Sequence, residues 1–510
     1  MKGINLIMRK LKAKFKYGKN GITLITLVIT IIVLLILSGV TIATLTKENG
    51  IFTRTQQAKI RTEEAQEKEG LGVAVTSSQL EDVNTLKIKK ENLENAIKQQ
   101  FGNNKNFSVT DNKDGSFLVN MNDTQRMYYI DETGQIIDQN KILRISTANE
   151  LKVFRDNVNR GNTYEDWYIY LANDLNLDIN EEWKPIGLYP MENSTPDAQT
   201  NKPFKGTFDG RNHEINGMYI NTTDKVQGLF GLVIGGKILN LGIGRECNIS
   251  GDLSIGAIAG YLYNGAKAIN CYNKSDLKVG AFSGGVFGQI AINCNIENCY
   301  NIGNINISND SKYTGGVVGN VNLNSSLKKC YNEGNVYGNI IGSTYVLGGV
   351  TGNLSDDSLL EECFNIGKVQ GNDRIGGIAG LNVRNGNMQN CYNVGIIEGN
   401  NKIGGISGQS TSSISNCYNV GKIKGTTIFG GIVGANLVSK DYQTEGVLRN
   451  TYILENTCEN ICGYNDSTIE DSSIKSKEEM KLLVSTLGEA FKEDINNINN
   501  GFPILTWQNK

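Results

Sequence analysis

The sequence predicts a mainly β protein whose larger part is a β-solenoid, a stack of about eight coils of about 28 residues each. A glycine-rich element recurs as QGLFG, GAIAG, GGVFG, GGVVG, GGVTG, GGIAG, GGISG and GGIVG, with its last glycine at 231, 260, 288, 319, 352, 380, 408 and 434. A second element follows at the same period: Cys271-Tyr272-Asn273, Cys299-Tyr300-Asn301, Cys330-Tyr331-Asn332, Cys363-Phe364-Asn365, Cys391-Tyr392-Asn393 and Cys417-Tyr418-Asn419. Composition agrees, because 59 glycines against 5 prolines supply tight corners without interrupting strand ladders.

Two motifs at one period mean one structural unit repeated. An aliphatic position (Leu277, Ile305, Val336, Val369, Ile397, Ile423) completes three short strands per coil. Coils stacked at about 4.8 Å align like residues along the axis, so eight make a rod of about 38 Å. Leu241 and Thr451 fall in the cysteine column of the first and last coils. A column that accepts uncharged residues of varied shape reads as a buried stack. Successive strand side chains face opposite ways. Inward cysteines therefore turn Tyr272, Tyr300, Tyr331, Phe364, Tyr392 and Tyr418 outward, as a row suited to stacking sugar rings. The asparagine after each aromatic reads as a turn residue that can enter the left-handed region and hydrogen-bond neighbouring turns. Extra residues around 322–327 and 355–360 read as longer turns and as the partner-facing surface.

Ahead of the array, residues 1–21 form a basic leader with seven positive charges and no acid, and residues 22–46 are uncharged. A helix over the uncharged run from Gly21 to Thr46 is about 39 Å long, more than the roughly 30 Å of a hydrocarbon core. Seven positive charges before the span outnumber the four in the next twenty residues. This places the N-terminus in the cytoplasm and the large C-terminal region outside, as a single-pass cell-membrane protein at the cell surface. Residues 47–82, charged and free of proline, read as a helical stalk, and residues 83–140 as a small α/β unit with a helix near Lys90 to Phe101. The DNKDG stretch at 111–115 reads as a hairpin turn. It is no calcium loop, since Lys113 occupies a ligand position. Residues 141–228 form an N-terminal cap, 229–466 the solenoid and 467–510 a C-terminal cap.

The stretch Gly21-Ile22-Thr23-Leu24-Ile25-Thr26-Leu27 and the apolar run after it resemble the prepilin-type segment of type IV pilins and pseudopilins. The resemblance implies cleavage after Gly21 and methylation of Ile22 by a prepilin peptidase, pilin-like subunits as partners, and a pilin-like head at 83–140. Thr26 stands where that family carries glutamate. A hydroxyl cannot neutralise a buried terminal ammonium, so the role of major filament subunit does not follow. The repeats resemble GLUG repeats, found in bacterial surface proteins including some immunoglobulin-A peptidases. The flanks TANELKVFRDNVNRGNTYEDWYIYLANDLNLD and INNINNGFPILTWQ resemble those such arrays carry. The HExxH zinc motif of the peptidases is absent from this sequence.

Fifty basic and 52 acidic side chains leave a net charge of −2, which gives no field for nucleic acid. The single histidine, His213, follows the Asp209-Gly210 turn and reads as a hairpin residue. Cys294 with Cys299 and Cys458 with Cys462 offer no set of four zinc ligands, and the column cysteines read as buried thiols. No catalytic, metal or cofactor residue is assigned, and the chain is expected not to be an enzyme. It displays an interaction face to a glycan or a host or cell-surface ligand, as an adhesin or a pilus- or pseudopilus-associated subunit. The alternatives are a surface polysaccharide lyase or hydrolase using carboxylates, and a structural spacer. Glu361-Glu362 and Asp356-Asp357 are acidic neighbours whose side chains face apart, whereas a cleft holding two carboxylates would favour the enzyme.

The leader yields a direct test. Mass spectrometry of the mature protein should find N-methylated Ile22 at its start; a protein still beginning at Met1 in a host with active prepilin peptidase reverses the reading.

Overall fold

The computed structural model describes residues 51–508, apart from 82–84, 86, 103–104, 113–114, 132, 192–194, 309–311 and 339–344. The leader, the apolar span, and Gly21 and Ile22 lie outside the described residues. Among the described residues, no helix is long and apolar enough to cross a membrane. The chain divides into two compact units, with the division at Ile136.

In the first unit, helix α1 (Ile51–Leu80) and helix α2 (Lys90–Phe101) accompany a four-stranded sheet of β1 (Phe107–Asp111), β2 (Phe117–Met121), β3 (Arg126–Ile130) and β4 (Ile136–Asp138) in that order. β1 and β2 pair antiparallel with Asp111 opposite Phe117, as the expected hairpin requires; Lys113 and Asp114 between them lie outside the described residues. Helix α1 is more than a stalk. Leu71, Ala74 and Val75 are buried in one cluster with Leu93, Ile97, Val119 and Tyr128. Glu67, only 5% exposed, receives the Tyr128 hydroxyl at 3.0 Å and pairs with Arg126 at 3.3 Å. Burial next to this carboxylate raises the Tyr128 hydroxyl well above its ordinary range.

The second unit is the β-solenoid, and its strands stack parallel and in register. It has about 11 turns rather than eight. The additional turns come from the flanks, which carry the apolar columns without the motifs. Ile142–Ile145 pairs with Tyr168–Leu171, that strand with Thr207–Asn216, and that one with Lys237–Ile243. At the other end Thr468–Glu470 and Ser473–Lys475 extend the stack from Val447–Leu454. The expected N-terminal cap is thus partly solenoid. What covers that end is helix α3 (Ala148–Asn159), started by a Thr147–Glu150 capping box, with Leu151, Phe154 and Val158 in the solenoid core.

Each central coil has more than the three strands expected. The one holding Cys299 runs Ser283–Gly284, Phe287–Ala291, Asn295–Glu297, Tyr300–Asn301 and Ile305–Ile307. A left-handed residue just before the cysteine breaks the second motif: Asn270, Asn298, Lys329, Glu362, Asn390 and Asn416 have φ between 51° and 56°. The left-handed column therefore sits three residues ahead of the asparagines expected to fill it. Coil length also varies elsewhere than expected. The strands flanking 323–325 are no farther apart than those flanking 292–294, whereas strands end at Ile307 and Gly338 and resume only at Thr314 and Leu347. The extra residues fall at those corners, and 309–311 and 339–344 are outside the described residues.

The expected asparagine turns are instead a buried ladder. Asn273, Asn301, Asn332, Asn365, Asn393 and Asn419 have no exposed surface. Each Nδ2 down to Asn393 donates to the next asparagine Oδ1 at 2.8–2.9 Å. The same nitrogen also donates to a carbonyl two residues on, as from Asn365 to Gly367 at 2.8 Å. Beside the ladder stands a glycine column: a Cβ at Gly316 would collide with the Asn332 side chain and the Gly349 carbonyl. A Cβ at Gly319 would lie 2.5 Å from the Ser283 nitrogen and 2.7 Å from the Gly288 oxygen. The cysteine column is fully buried, and its thiols are free. Burial pushes the Cys271, Cys299 and Cys391 thiols well up.

These columns make two stability predictions. Replacing Asn365 with leucine strands the Asn332 donor and the Asn393 acceptor, and at about 1–3 kcal/mol for each orphaned group thermal melting should show a clear loss, whereas N306L at an exposed strand position should not. Cys330→Asp buries an unpaired carboxylate and should cost several kcal/mol, more than Tyr331→Asp. The reverse order of melting temperatures would invert the facing of this strand.

Candidate functional site

The aromatic residues leave the core on the opposite side from the cysteines and stack on one another. Ring centroids are 4.9 Å apart for Tyr272 and Tyr300, 4.8 Å for Tyr300 and Tyr331, 4.8 Å for Tyr331 and Phe364, and 5.1 Å for each of the next two pairs. Their planes lie within 9° of parallel. Coil spacing dictates this distance, and such stacked pairs add about 0.5–1.5 kcal/mol each. It also revises the expected use of the rings. A sugar cannot enter between rings already in contact, so the interior rings offer edges and hydroxyls instead of faces.

The ladder has a covered and an open half. The segment 476–508 does not cap the solenoid end as expected; it folds along the flank, where Met480, Leu483, Leu487, Phe491, Phe502 and Leu505 bury Phe364, Tyr392, Tyr418 and Tyr452. That segment also satisfies the phenols. The Tyr392 hydroxyl donates to Gln508 Oε1 at 3.0 Å, and the Tyr418 hydroxyl donates to the Pro503 carbonyl and receives Asn499 Nδ2 at 2.8 Å. Cover ends at Trp507, whose ring centroid lies 5.8 Å from Phe364 and 6.2 Å from Tyr331. A pocket of about 250 Å³ opens there, lined by Tyr331, Glu333, Phe364 and Trp507 among others. Tyr272, Tyr300 and Tyr331 remain half-buried.

At the head of the open half, strand register extends the aromatic column past Tyr272 to Gly242 and then Glu214. Gly242 has no side chain, and the Tyr272 ring occupies the space a Cβ would take. The Tyr272 hydroxyl thereby donates to Glu214 Oε1 at 2.8 Å, and burial together with this carboxylate raises the hydroxyl well above its usual range. Lys274 pairs with the same Glu214 oxygen and lies 5.1 Å from the Tyr272 ring centroid. Glu214, Glu246, Arg245, Lys274, Asn176 and Asn216 line an open cleft of about 410 Å³. His213 stands next to it in the long strand Thr207–Asn216, not in a hairpin, with Nδ1 3.0 Å from Asp174 Oδ1. The Glu214 backbone N–H and then His213 hold the Asp174 carboxyl below its usual range.

Sequence reasoning named the tyrosines and passed over Glu214, Glu246, Lys274 and Trp507. Glu214 was legible only if the coil containing it had been aligned with the repeats, and Trp507 gave no signal because a return along the flank leaves no periodicity. The acidic neighbours named in the sequence do not converge. Asp356 pairs with Arg384 at 2.9 Å, and Glu361 with Lys328 at 2.6 Å. Among the described residues, no group of three or more metal-ligating side chains occurs.

No protein-family model and no curated protein matches this chain. Among solved structures, a candidate immunoglobulin A1 protease from Bacteroides ovatus is similar over 73% of this chain and 94% of its own, at 18% identity and a TM-score of 0.36. An IgA1 protease is similar over 68% of this chain and 25% of its own, at 13% identity and a TM-score of 0.36. The expectation that the chain is not an enzyme stands corrected: these structures bear protease names, and the scarcity of histidine does not bear on carboxylate chemistry.

Removing 476–508 should uncover the lower aromatic column. Dye binding to apolar surface should rise and the melting temperature fall, while the far-ultraviolet β signal persists; unchanged dye binding would mean that the segment does not cover the ladder.

Proposed function

We propose that the chain is a membrane-anchored surface protein that holds an extended polysaccharide along the open half of its aromatic ladder and acts on it at the Glu214–Glu246 cleft. One observation carries this reading: two carboxylates share an open cleft with Arg245 and Lys274 at the end of a row of partly exposed tyrosines. The Tyr300 and Tyr331 hydroxyls, unlike those of Tyr392 and Tyr418, have no hydrogen-bond partner among the described residues. They present polar edges to hydroxylated sugars.

The chemistry that fits is hydrolysis of a glycosidic bond. One carboxyl group donates a proton to the leaving oxygen as the bond from the anomeric carbon breaks, and the other acts on the opposite face, where water supplies the new bond. Glu214, held by Lys274 and Tyr272, is the fixed carboxylate. Glu246, exposed on the same cleft, supplies the second carboxyl group. Anchorage is supported by the basic leader and the uncharged run 22–46, and the GLUG-type reading of the coils supports display at the cell surface.

A second reading, display as a pilus- or pseudopilus-associated subunit with adhesion as its role, is favoured by the packing of helix α1 against a four-stranded sheet. It shares the anchor and differs in needing no turnover.

Incubating the purified chain with a panel of neutral, acidic and amino-sugar polysaccharides and measuring new reducing ends decides between them. Turnover lowered 100-fold or more by both E214Q and E246Q, but unchanged by E445Q, is the expected result. Polysaccharide bound without any new reducing ends would favour display.

A further inference from the structure

The pocket at the edge of the C-terminal cover has a chemistry of its own. Trp507 Nε1 donates to the Glu362 carbonyl at 3.1 Å. The indole is thereby fixed, and what it has left to offer is ring surface. Glu333 shares the pocket and has no cationic partner among the described residues, whereas Glu297 and Glu361 on the two flanking coils pair with Lys329 at 3.4 Å and Lys328 at 2.6 Å. Glu333 is exposed, and the partial desolvation it meets at the pocket wall raises its carboxyl above its usual range with no counter-ion to offset it. A positively charged ligand group would remove that penalty; a neutral ring would not, and an acidic sugar would add repulsion.

We propose that this pocket is a subsite for an amino-sugar unit, with the C–H face of the sugar ring on Trp507 and its ammonium on Glu333. The proposal rests on the polysaccharide reading above and specifies the substrate class. The subsite and the Glu214 cleft lie at the two ends of the open ladder. Two coil steps separate Tyr272 from Tyr331, about 10 Å at the usual strand spacing. A glycan seated at Trp507 can therefore run past Tyr331 and Tyr300 and place a later linkage at Glu214. An aromatic surface also attracts a nearby cation, so selection for the ammonium comes from Glu333 and the indole acting together.

Calorimetric titration of the purified full-length chain with hexasaccharides of glucosamine, N-acetylglucosamine and glucose tests this. Glucosamine oligomers should bind at least 10-fold more tightly than the other two, and E333Q should abolish that preference while leaving the melting temperature unchanged. W507A should weaken all three, with W507F restoring part of the binding if loss of the indole disturbs the cover. Equal binding of the three oligomers, or a preference that survives E333Q, overturns the proposal. If E246Q still abolishes turnover in that case, the polysaccharide reading stands without the subsite; if no oligosaccharide binds or is cleaved, both fall.

Discussion

A column of six asparagines sets the cross-section of the solenoid, because each buried amide must be satisfied twice. From Asn273 to Asn393 the nitrogen donates once to the next coil and once to a carbonyl in its own turn, which is all the donor capacity it has. The arrangement fixes both the stacking register and the path of the turn. The glycines beside it follow as a steric consequence: at Gly316 or Gly349 any side chain would overlap an asparagine. A shift of one residue in any coil would break two buried hydrogen bonds and flip every strand side chain to the other face.

That register explains why the cysteines and the aromatics behave so differently while adjacent in sequence. With the asparagine pinned inside, the cysteine two residues earlier is also inside, where its small volume fills the space between coils, and the aromatic between them must leave the core. Stacked at coil spacing, the rings form a second apolar surface on the flank, separate from the main core. A surface of that kind has to be covered or used. The chain covers half of it with its own C-terminal segment and leaves the other half beside the Glu214 cleft.

The head of the ladder shows how a repeat acquires a site. Where the column reaches Gly242 the ring is missing, and the next position up is Glu214. The loss of one side chain lets the last tyrosine reach a carboxylate two coils away. Lys274 from the first motif-bearing coil, Arg245 and Glu246 from the coil of Gly242, and Glu214 from the flank gather at the same edge because coil stacking brings their positions together.

Much of this molecule was legible in its sequence: the solenoid class, the two motif columns, the small α/β unit with its hairpin, and the burial of the cysteines. These depend on periodicity and local turn chemistry, which a one-dimensional pattern records. The number of turns was not legible, because the flanking coils keep apolar columns such as Leu143, Ile169, Phe208 and Ile238 without the motifs. Nor was the role of the asparagines, since a polar residue after a tyrosine reads as a turn until its neighbours above and below are known. Only the tertiary structure decided that 476–508 returns along the flank to leave Trp507 against Tyr331, and that Glu214, Glu246 and Lys274 meet in one cleft. Those contacts join residues far apart in sequence through coil stacking and chain reversal, and neither leaves a local trace.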